Sequence, residues 1–388
     1  IFKYIRTETK QRELLFFNKT SKILNRRLLS NFMSKISDFA ETPMPLKAEI
    51  FFDDALFEQE KTSFYFNAPQ PVAFSAEIPS PNSYLALEVL NIPILLVRNK
   101  DGILKAFINA CTHRGGKLAD GAGHKNLFTC GFHGWSFDPD GNVVSRPQEA
   151  CFNSNKSDFS LTELPVSETC GVVIIGLKED IGVEPADAGY EPLAAELQNY
   201  DLKTYKALDR REFDVAANWK LINDLSLESY HFPVLHRDTV AQVLAETSIF
   251  DSYDRCSRWA FPWMSIGRLD DIDEEDWPEK IEGSCTYTLF PGVMLILNAS
   301  GAQMIRAEPG ERPNHSRIAY VGLAHPETEE AEARSGYEFG GKVFEEEDLA
   351  SAIECQKGLE ASRKDLILGT NEALLQFWHK LWAQQPTK

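Results

Sequence analysis

Four side chains between residues 111 and 133 have the types and the spacing to hold iron. Cys111-Thr-His113 opens the stretch and Cys130-Gly-Phe-His133 closes it, with sixteen residues between His113 and Cys130. Two thiolates and two imidazoles on paired loops suit a [2Fe–2S] cluster with cysteine on one iron and histidine on the other. The same donors suit a structural zinc. The flanks favour the cluster. Gly115, Gly116, Gly131 and Gly134 stand where backbone must approach bridging sulfides closely, and C-x-H is an unusual first half for a zinc finger. Trp135 and Phe132 are expected to keep water from the cluster.

A second set lies downstream, in Asn218-Trp-Lys-Leu-Ile-Asn-Asp224-Leu-Ser-Leu-Glu228-Ser-Tyr-His231-Phe-Pro233-Val-Leu-His236. Five residues on an ideal helix turn through about 140°, so His231 and His236 cannot address one ion from regular α structure. Pro233 between them is expected to disturb the helix and let His236 swing round. Two imidazoles suit zinc, iron or copper; the alternative is two unrelated histidines near a helix end. Two histidines and one carboxylate leave positions open for oxygen at ferrous iron. Such chemistry takes electrons one at a time, and an upstream cluster can supply them.

The cluster motif, Asn218-Trp219-Lys220, and Glu228-x-Tyr-His231-x4-His236 together resemble the catalytic subunit of the Rieske non-heme iron oxygenases, over about residues 60–385. The resemblance implies an α+β chain: an N-terminal antiparallel β domain carrying the cluster, then a helix-grip (START-like) catalytic domain with an antiparallel sheet. It makes Cys111, His113, Cys130 and His133 the cluster ligands. It makes His231, His236 and a late carboxylate the ligands of mononuclear Fe(II). Asp348 is chosen for that third place, with Glu347 and Glu345 as fallbacks; an acidic run dressing a helix N-terminus is the alternative reading. Asn218 and Glu228 are carried over as active-site residues. Glu228 stands where ring-dihydroxylating members have an Asp that bridges the two metal sites, and Glu there resembles members that attack amines, quaternary ammonium compounds and methoxy groups. Asp224 competes for the bridging role.

By the same resemblance the chain is an oxidoreductase that uses dioxygen to hydroxylate or oxidatively demethylate a small organic substrate. Aromatic-ring cis-dihydroxylation is the second reading. An electron carrier or ligand-binding protein without mononuclear iron is the third. A head-to-tail homotrimer is implied, because in the family the cluster of one subunit feeds the iron of its neighbour. The chain has no G-x-G-x-x-G opening a helix and no further cysteine set, so NAD(P)H is expected to act through a separate reductase, with or without a ferredoxin.

The elements that position these residues follow from the pattern. Tyr84–Val89, Ile92–Val97 and Leu104–Ile108 read as strands, with Asn99-Lys-Asp-Gly102 as a hairpin turn, and the third delivers Cys111 into the first ligand loop. The expected domains are a lead-in at 33–60, the cluster domain at 60–180 and the catalytic domain at 190–388. A strand at about 204–214, a helix from about Ala217, a meander across 285–323 and a terminal helix bearing Leu374, Leu375, Trp378, Leu381 and Trp382 complete the second. Leu225, Phe232, Leu235, Phe290 and Leu297 are expected to line its pocket.

With 388 residues, 43% hydrophobic and 25% charged, the composition is that of an ordinary globular protein. A net charge of −18 argues against nucleic acid, and no apolar run reaches the roughly 18 residues of a membrane span. Besides Cys111 and Cys130, the five remaining cysteines are expected as buried free thiols in a reducing, cytoplasmic setting. Residues 1–32 differ, with eight Lys/Arg against two Glu. Upstream or vector sequence, an organelle-targeting leader and a native helix are the three readings for them, and Met33 is a candidate start.

Overall fold

The computed structural model describes residues 21–278 and 280–384. The described chain forms two units. One comprises residues 64–188 and 201–204; the other comprises 21–63, 189–200 and 205–384. The lead-in at 33–60 therefore belongs with the catalytic unit rather than standing apart.

In the first unit Ile92–Arg98 is the middle strand of a five-stranded antiparallel sheet, between Leu104–Ile108 and Ser83–Val89. Its alternate residues face two separate cores, as a strand buried on both sides requires. Ile94 and Leu96 join Leu85, Leu87, Val173 and Ile175, while Leu95 and Val97 join Phe107, Phe128, Cys111, Cys130 and Trp135. The Asn99–Gly102 turn forms as expected: Asn99 Oδ1 accepts from the Asp101 and Ile103 amides at 3.0 and 2.8 Å, and Gly102 takes a φ of +81°. A small sheet of Phe128–Thr129, Ser136–Phe137 and Val143–Ser145 carries the second ligand loop at a hairpin tip.

The second unit is built on a seven-stranded antiparallel sheet. Its strand order is Lys206–Val215, Ser316–Ala324, Gly301–Pro309, Val293–Leu297, Gly283–Leu289, Cys256–Pro262 and Ile249–Ser252. The terminal helix Ala373–Ala383 docks on it through indole N–H groups: Trp378 donates to Ser257 Oγ at 3.0 Å and Trp382 to the Pro291 carbonyl at 2.7 Å. A long helical run, Glu330–Val343 continuing through Phe344–Leu349 to Ala350–Ser362, stacks Tyr337 and Phe344 on Tyr320 of the sheet. Among the described residues no helix is long and apolar enough to cross a membrane. All seven cysteines are free; Cys170, Cys256 and Cys285 are buried as expected, but Cys151 and Cys355 are exposed.

Residues 1–20 lie outside the described residues. Those at 21–34 form a helix that is part of the second unit. Its Leu24 and Leu28 are 1% and 0% exposed. Asn25, fully buried, donates to the Lys280 carbonyl at 3.0 Å and accepts from the Glu282 amide at 2.8 Å. Arg27 grips Asp251 with two bonds of 2.9 Å, and Asp251 in turn binds Arg258, which pairs with the buried Glu196. The alternation Arg27, Asp251, Arg258, Glu196 is neutral only with its first member in place. Residues 21–32 thus do structural work in the second unit. Leu28→Ala is expected to cost about 2–5 kcal/mol of unfolding free energy in denaturant titrations, and a chain begun at Met33 to melt well below the full chain. Equal melting temperatures for the two chains would show the helix to be dispensable.

Candidate functional site

The two cluster-motif loops are near copies of one another. In each, the cysteine carbonyl accepts from the amide four residues on: Cys111 from Gly115 at 2.8 Å, Cys130 from Gly134 at 2.9 Å. In each, the cysteine amide donates to the carbonyl five residues on, Gly116 and Trp135, both at 2.8 Å. Gly115 and Gly134 close these turns at φ of +74° and +73°, a region costly for any residue with a Cβ. Asn109, buried and not foreseen from sequence, clamps the first loop by donating to the Ala119 carbonyl and accepting from the Leu118 and Ala119 amides.

The four ligand side chains are sorted by type. Cys111 and Cys130 are close enough to interact directly, and burial followed by that neighbour pushes the Cys111 thiol up. The His113 and His133 rings lie 4.6 Å apart. Desolvation, then His133 and Arg114, holds His113 below its ordinary value, keeping the ring neutral and able to ligate. A single zinc with bonds of about 2.0–2.3 Å would draw all four donors within about 4 Å of one another. Among the described residues no three of these donors lie within 4.8 Å of each other. Sulfurs on one side and imidazoles on the other fit two irons, and His113 Nδ1 is buried without a hydrogen-bond partner. Trp135, 2% exposed, stacks parallel to His113 at 5.0 Å. Phe132 does not shield as expected: it is 60% exposed and lies beside His133 and the Arg114 guanidinium.

The second set converges. His231, His236 and Asp348 offer ligand atoms all within 4.8 Å of one another, the one such group among the described residues. Asp348 Oδ1 lies 3.1 Å from His236 Nε2 and 3.9 Å from His231 Nε2. The approach is off hydrogen-bond geometry, and both His231 Nε2 and Asp348 Oδ1 are buried with no hydrogen-bond partner. Such orphans at the meeting point of two imidazoles and a carboxylate fit a metal ion.

Both rings are held from behind. Glu228 Oε1 takes Nδ1 of His231, while its Oε2 accepts from the Tyr230 and His231 amides. Glu347 Oε2 accepts from Nδ1 of His236 at 2.6 Å and from the Thr239 hydroxyl at 3.0 Å. A carboxylate on Nδ1 fixes the tautomer that leaves Nε2 free for a metal. Glu347, a fallback for the third ligand, instead orients the second. Glu347 and Asp348, adjacent in the chain, thus face opposite nitrogens of one imidazole. Burial pushes His236 down, but the facing carboxylates of Asp348 and Glu347 outweigh it and hold it above its ordinary value.

Two backbone features bring this about, and both differ from the sequence expectation. The helix begun at Trp219 ends at Asp224, and residues 226–231 are not helical. Pro233 breaks nothing; it sits in the first turn of a separate short helix, Phe232–Leu235, where a missing N–H costs no bond. Asp348 is not at a helix start but within a π-helical stretch, Phe344–Leu349, inside the long run. Wide turns of this kind are frequent at functional positions because they re-aim side chains. The N-terminal acidic dressing is elsewhere, at Glu330 and Glu332.

Asn218 is not an active-site group. Fully buried, it caps the helix by accepting from the Lys220 amide at 3.0 Å, and donates to the Phe51 and Pro313 carbonyls at 3.2 and 2.8 Å. All its polar capacity is spent on the frame. Lys220, 1% exposed, pairs with the buried Glu60, and burial pushes the lysine down and the glutamate up despite their attraction. Asp224 pairs with the buried His379 at 3.0 Å, which removes it as a rival to Glu228. Of the expected pocket residues, Phe232 lies against both histidines, at 5.0 and 5.6 Å between ring centroids. Leu297 instead lines a separate cavity of about 130 Å³ with Tyr200, Lys280 and His325, and Phe290 packs under Arg255.

Comparison with known proteins agrees with this geometry. A family model for the Rieske [2Fe-2S] domain matches residues 68–165, and one for the catalytic domain of ring hydroxylating alpha subunits matches 202–387. The chain is 34% identical to the carnitine monooxygenase oxygenase subunit of Acinetobacter baumannii over 187 residues, 47% of this chain and 49% of that one. It is 29% identical to the chloroplastic choline monooxygenase of Spinacia oleracea over 211 residues, 52% of this chain and 46% of that one. The matches thus span about half the length of these curated relatives. In fold it is similar to the quaternary ammonium Rieske monooxygenase CntA solved with L-carnitine, with a TM-score of 0.74, 24% identity, and 90% and 96% of the two chains covered. Naphthalene 1,2-dioxygenase with bound indole follows at a TM-score of 0.69 and 16% identity, covering 89% and 94%.

Loss of the Glu347 carboxylate in Glu347→Ala should weaken mononuclear iron binding about 10- to 100-fold, read by iron titration of the metal-depleted site, with the cluster's absorption unchanged. If His236 is a metal ligand, an incoming Fe(II) would displace its proton, and uptake should tighten as pH rises above 6.5, the ordinary histidine value. Pulsed addition of Fe(II) to unbuffered protein should release that proton; no release would contradict the assignment.

Proposed function

This chain is a member of the Rieske non-heme iron oxygenase family, catalytic subunit, and from that premise we propose that it hydroxylates or oxidatively demethylates a small quaternary ammonium compound with dioxygen. The observation that carries the proposal is the convergence of His231, His236 and Asp348, with unpartnered buried atoms aimed at one point. When bound, the [2Fe–2S] group supplies single electrons and the ferrous ion supplies an open face for dioxygen.

The chain's own residues set the conditions for that chemistry. Glu228 and Glu347 keep the imidazole protons on Nδ1 and present both Nε2 atoms. Asp348 completes a set of two neutral donors and one negative one, which leaves a ferrous site with net positive charge. Trp135 excludes water around His113. Beside the histidines stands an aromatic wall: Phe232, with Trp259 and Phe261 at 6.1 and 5.9 Å from it and 4.8 Å from each other. Trp259 and Phe261 are alternate residues of Cys256–Pro262 and share one face of the sheet. The rings are tilted or edge-on to one another, and an aromatic π-face attracts a cation that cannot donate hydrogen bonds, such as a trimethylammonium group. Glu228 in place of Asp and the carnitine and choline monooxygenase relatives support the same class of substrate.

We further propose a head-to-tail homotrimer served by a separate NAD(P)H-dependent reductase, with or without a ferredoxin. Each metal site lies beside exposed apolar side chains, Phe132 at 60% by His133, Tyr230 and Val234 at 71% and 83% by His231, as an interface between copies requires. A structural study of a quaternary ammonium Rieske monooxygenase concerns inter-subunit electron transfer. Buried free Cys170, Cys256 and Cys285 support a reducing compartment, the cytoplasm or an organelle interior.

Anaerobically purified protein should hold about three irons and two acid-labile sulfides per chain, and Asp348→Ala about two irons with both sulfides retained. With labelled dioxygen, one labelled atom in the product marks the proposed reaction and two mark ring dihydroxylation. Trp259→Ala should raise KM for a quaternary ammonium substrate by roughly 2- to 30-fold, with a smaller effect on an uncharged isostere. An equal effect on both would remove the cation–π argument.

A further inference from the structure

One buried charge in the first unit has no role in the chemistry above. Arg146 is 4% exposed, yet among the described residues no buried carboxylate pairs with it. Its Nη2 donates to the Ser154 carbonyl at 2.6 Å and its Nη1 to the Ser154 hydroxyl at 3.2 Å; Nε has no hydrogen-bond partner. The nearest carboxylate, Glu149, is 3.8 Å away, half exposed, and shared with Lys156 at 2.9 Å. The guanidinium is instead held by rings, with Trp135, Phe152 and Phe159 at 5.7, 5.3 and 5.9 Å. Two of those rings also touch a cluster ligand: Trp135 stacks on His113 at 5.0 Å, and Phe152 meets His113 edge-on at 5.8 Å.

We propose that Arg146 sets the reduction potential of the cluster held by Cys111, His113, Cys130 and His133. The inference rests on the cluster assignment made above and extends it to a residue that binds no part of the group. Reduction adds one negative charge to the cluster. A fixed cation behind the His113 wall, with little water between, stabilises the reduced form and raises the potential. Cation–π contacts hold the guanidinium without neutralising it, which a carboxylate partner would do. Retaining a buried charge that salt bridges leave under-compensated is costly, and field tuning gives that cost a function. Glu149, opposite in sign and partly screened, works weakly against it.

The test uses the full-length holoprotein at pH 7 and reads the reduced-to-oxidised ratio of the cluster at fixed poise, by circular dichroism and by the electron paramagnetic resonance of the reduced form. Arg146→Met should lower the ratio roughly three- to tenfold, tenfold being 59 mV for a one-electron couple. Arg146→Lys, which keeps the charge but not the stacking, should stay within about twofold of the unaltered protein, while the half-exposed Glu149→Gln should raise the ratio by up to about twofold. An unmoved Arg146→Met, or Met and Lys variants that shift alike, would assign Arg146 to packing and end the proposal. Should Arg146→Met fail to assemble, the remaining variants decide: Glu149→Gln moving down or not at all overturns the proposal, and moving up with Arg146→Lys near the unaltered value upholds it. An unaltered protein lacking the absorption of a histidine- and cysteine-bound cluster would sink the cluster assignment itself, a result distinct from an intact cluster whose potential ignores Arg146.

Discussion

Two carboxylates gripping two imidazoles by Nδ1 are the contacts on which the rest of the catalytic unit depends. Without Glu228 and Glu347 the rings of His231 and His236 are free to turn and to exchange tautomers, and no metal position is defined. With them, both Nε2 atoms and Asp348 are aimed before any ion arrives. The arrangement collects negative charge in a partly buried place, which is unfavourable until a cation joins it. The facing carboxylates of Asp348 and Glu347 favour a proton on His236 and hold the imidazole above its ordinary value in spite of its burial.

Such a site needs a frame that does not yield, and the frame is polar as well as apolar. Trp219–Asp224 is pinned at its start by Asn218, along its side by the Lys220–Glu60 pair, and at its end by Asp224 on His379. Asn218, Lys220, Glu60 and His379 are buried and partnered, so a shift of the helix would strand a charge or a donor at a cost of several kcal/mol. The long helical run enters the site through its π-helical stretch, where Tyr320 stacking on Phe344 fixes the phase of the turn that carries Glu347 and Asp348. The helix at 21–34 completes the alternating charges that end at Glu196.

The first unit solves a different problem by duplication. Two turns with matching hydrogen bonds, each closed by a glycine at positive φ, place a cysteine at the same point of each loop, with the histidine two residues on in the first and three residues on in the second. The sulfurs then meet on the core side, where Cys111 and Cys130 are 3% exposed, and the imidazoles stand together at the rim. That polarity of the cluster pocket follows from loop geometry alone. What surrounds it, from the Trp135 stack to the Arg146 guanidinium, is available to adjust how readily an electron is accepted.

Much of this was legible in the primary structure, because donor chemistry and strand alternation are local properties. Cys111, His113, Cys130 and His133 declared themselves by type and spacing, His231 and His236 only in company with that motif and the family resemblance, and the strands through Ile108 and across 285–323 were set by alternation and by turn residues such as Asn99 and Gly102. Other features depended on directions that no short stretch contains. Within Glu345–Asp348 the carboxylates are chemically alike, and only the helical phase imposed by packing against the sheet turns Asp348 toward Nε2 and Glu347 toward Nδ1. The helix ends at Asp224, well before Pro233, which was expected to disturb it between the two histidines and instead opens a separate short helix. Asn218 and Arg146 look like any polar residues until their neighbours are known: one is consumed by carbonyls, the other is left charged among rings. Residue types determined which metals this chain can hold, and the tertiary structure decided which atoms face them, since the reach and angle of a side chain are properties of the assembled backbone.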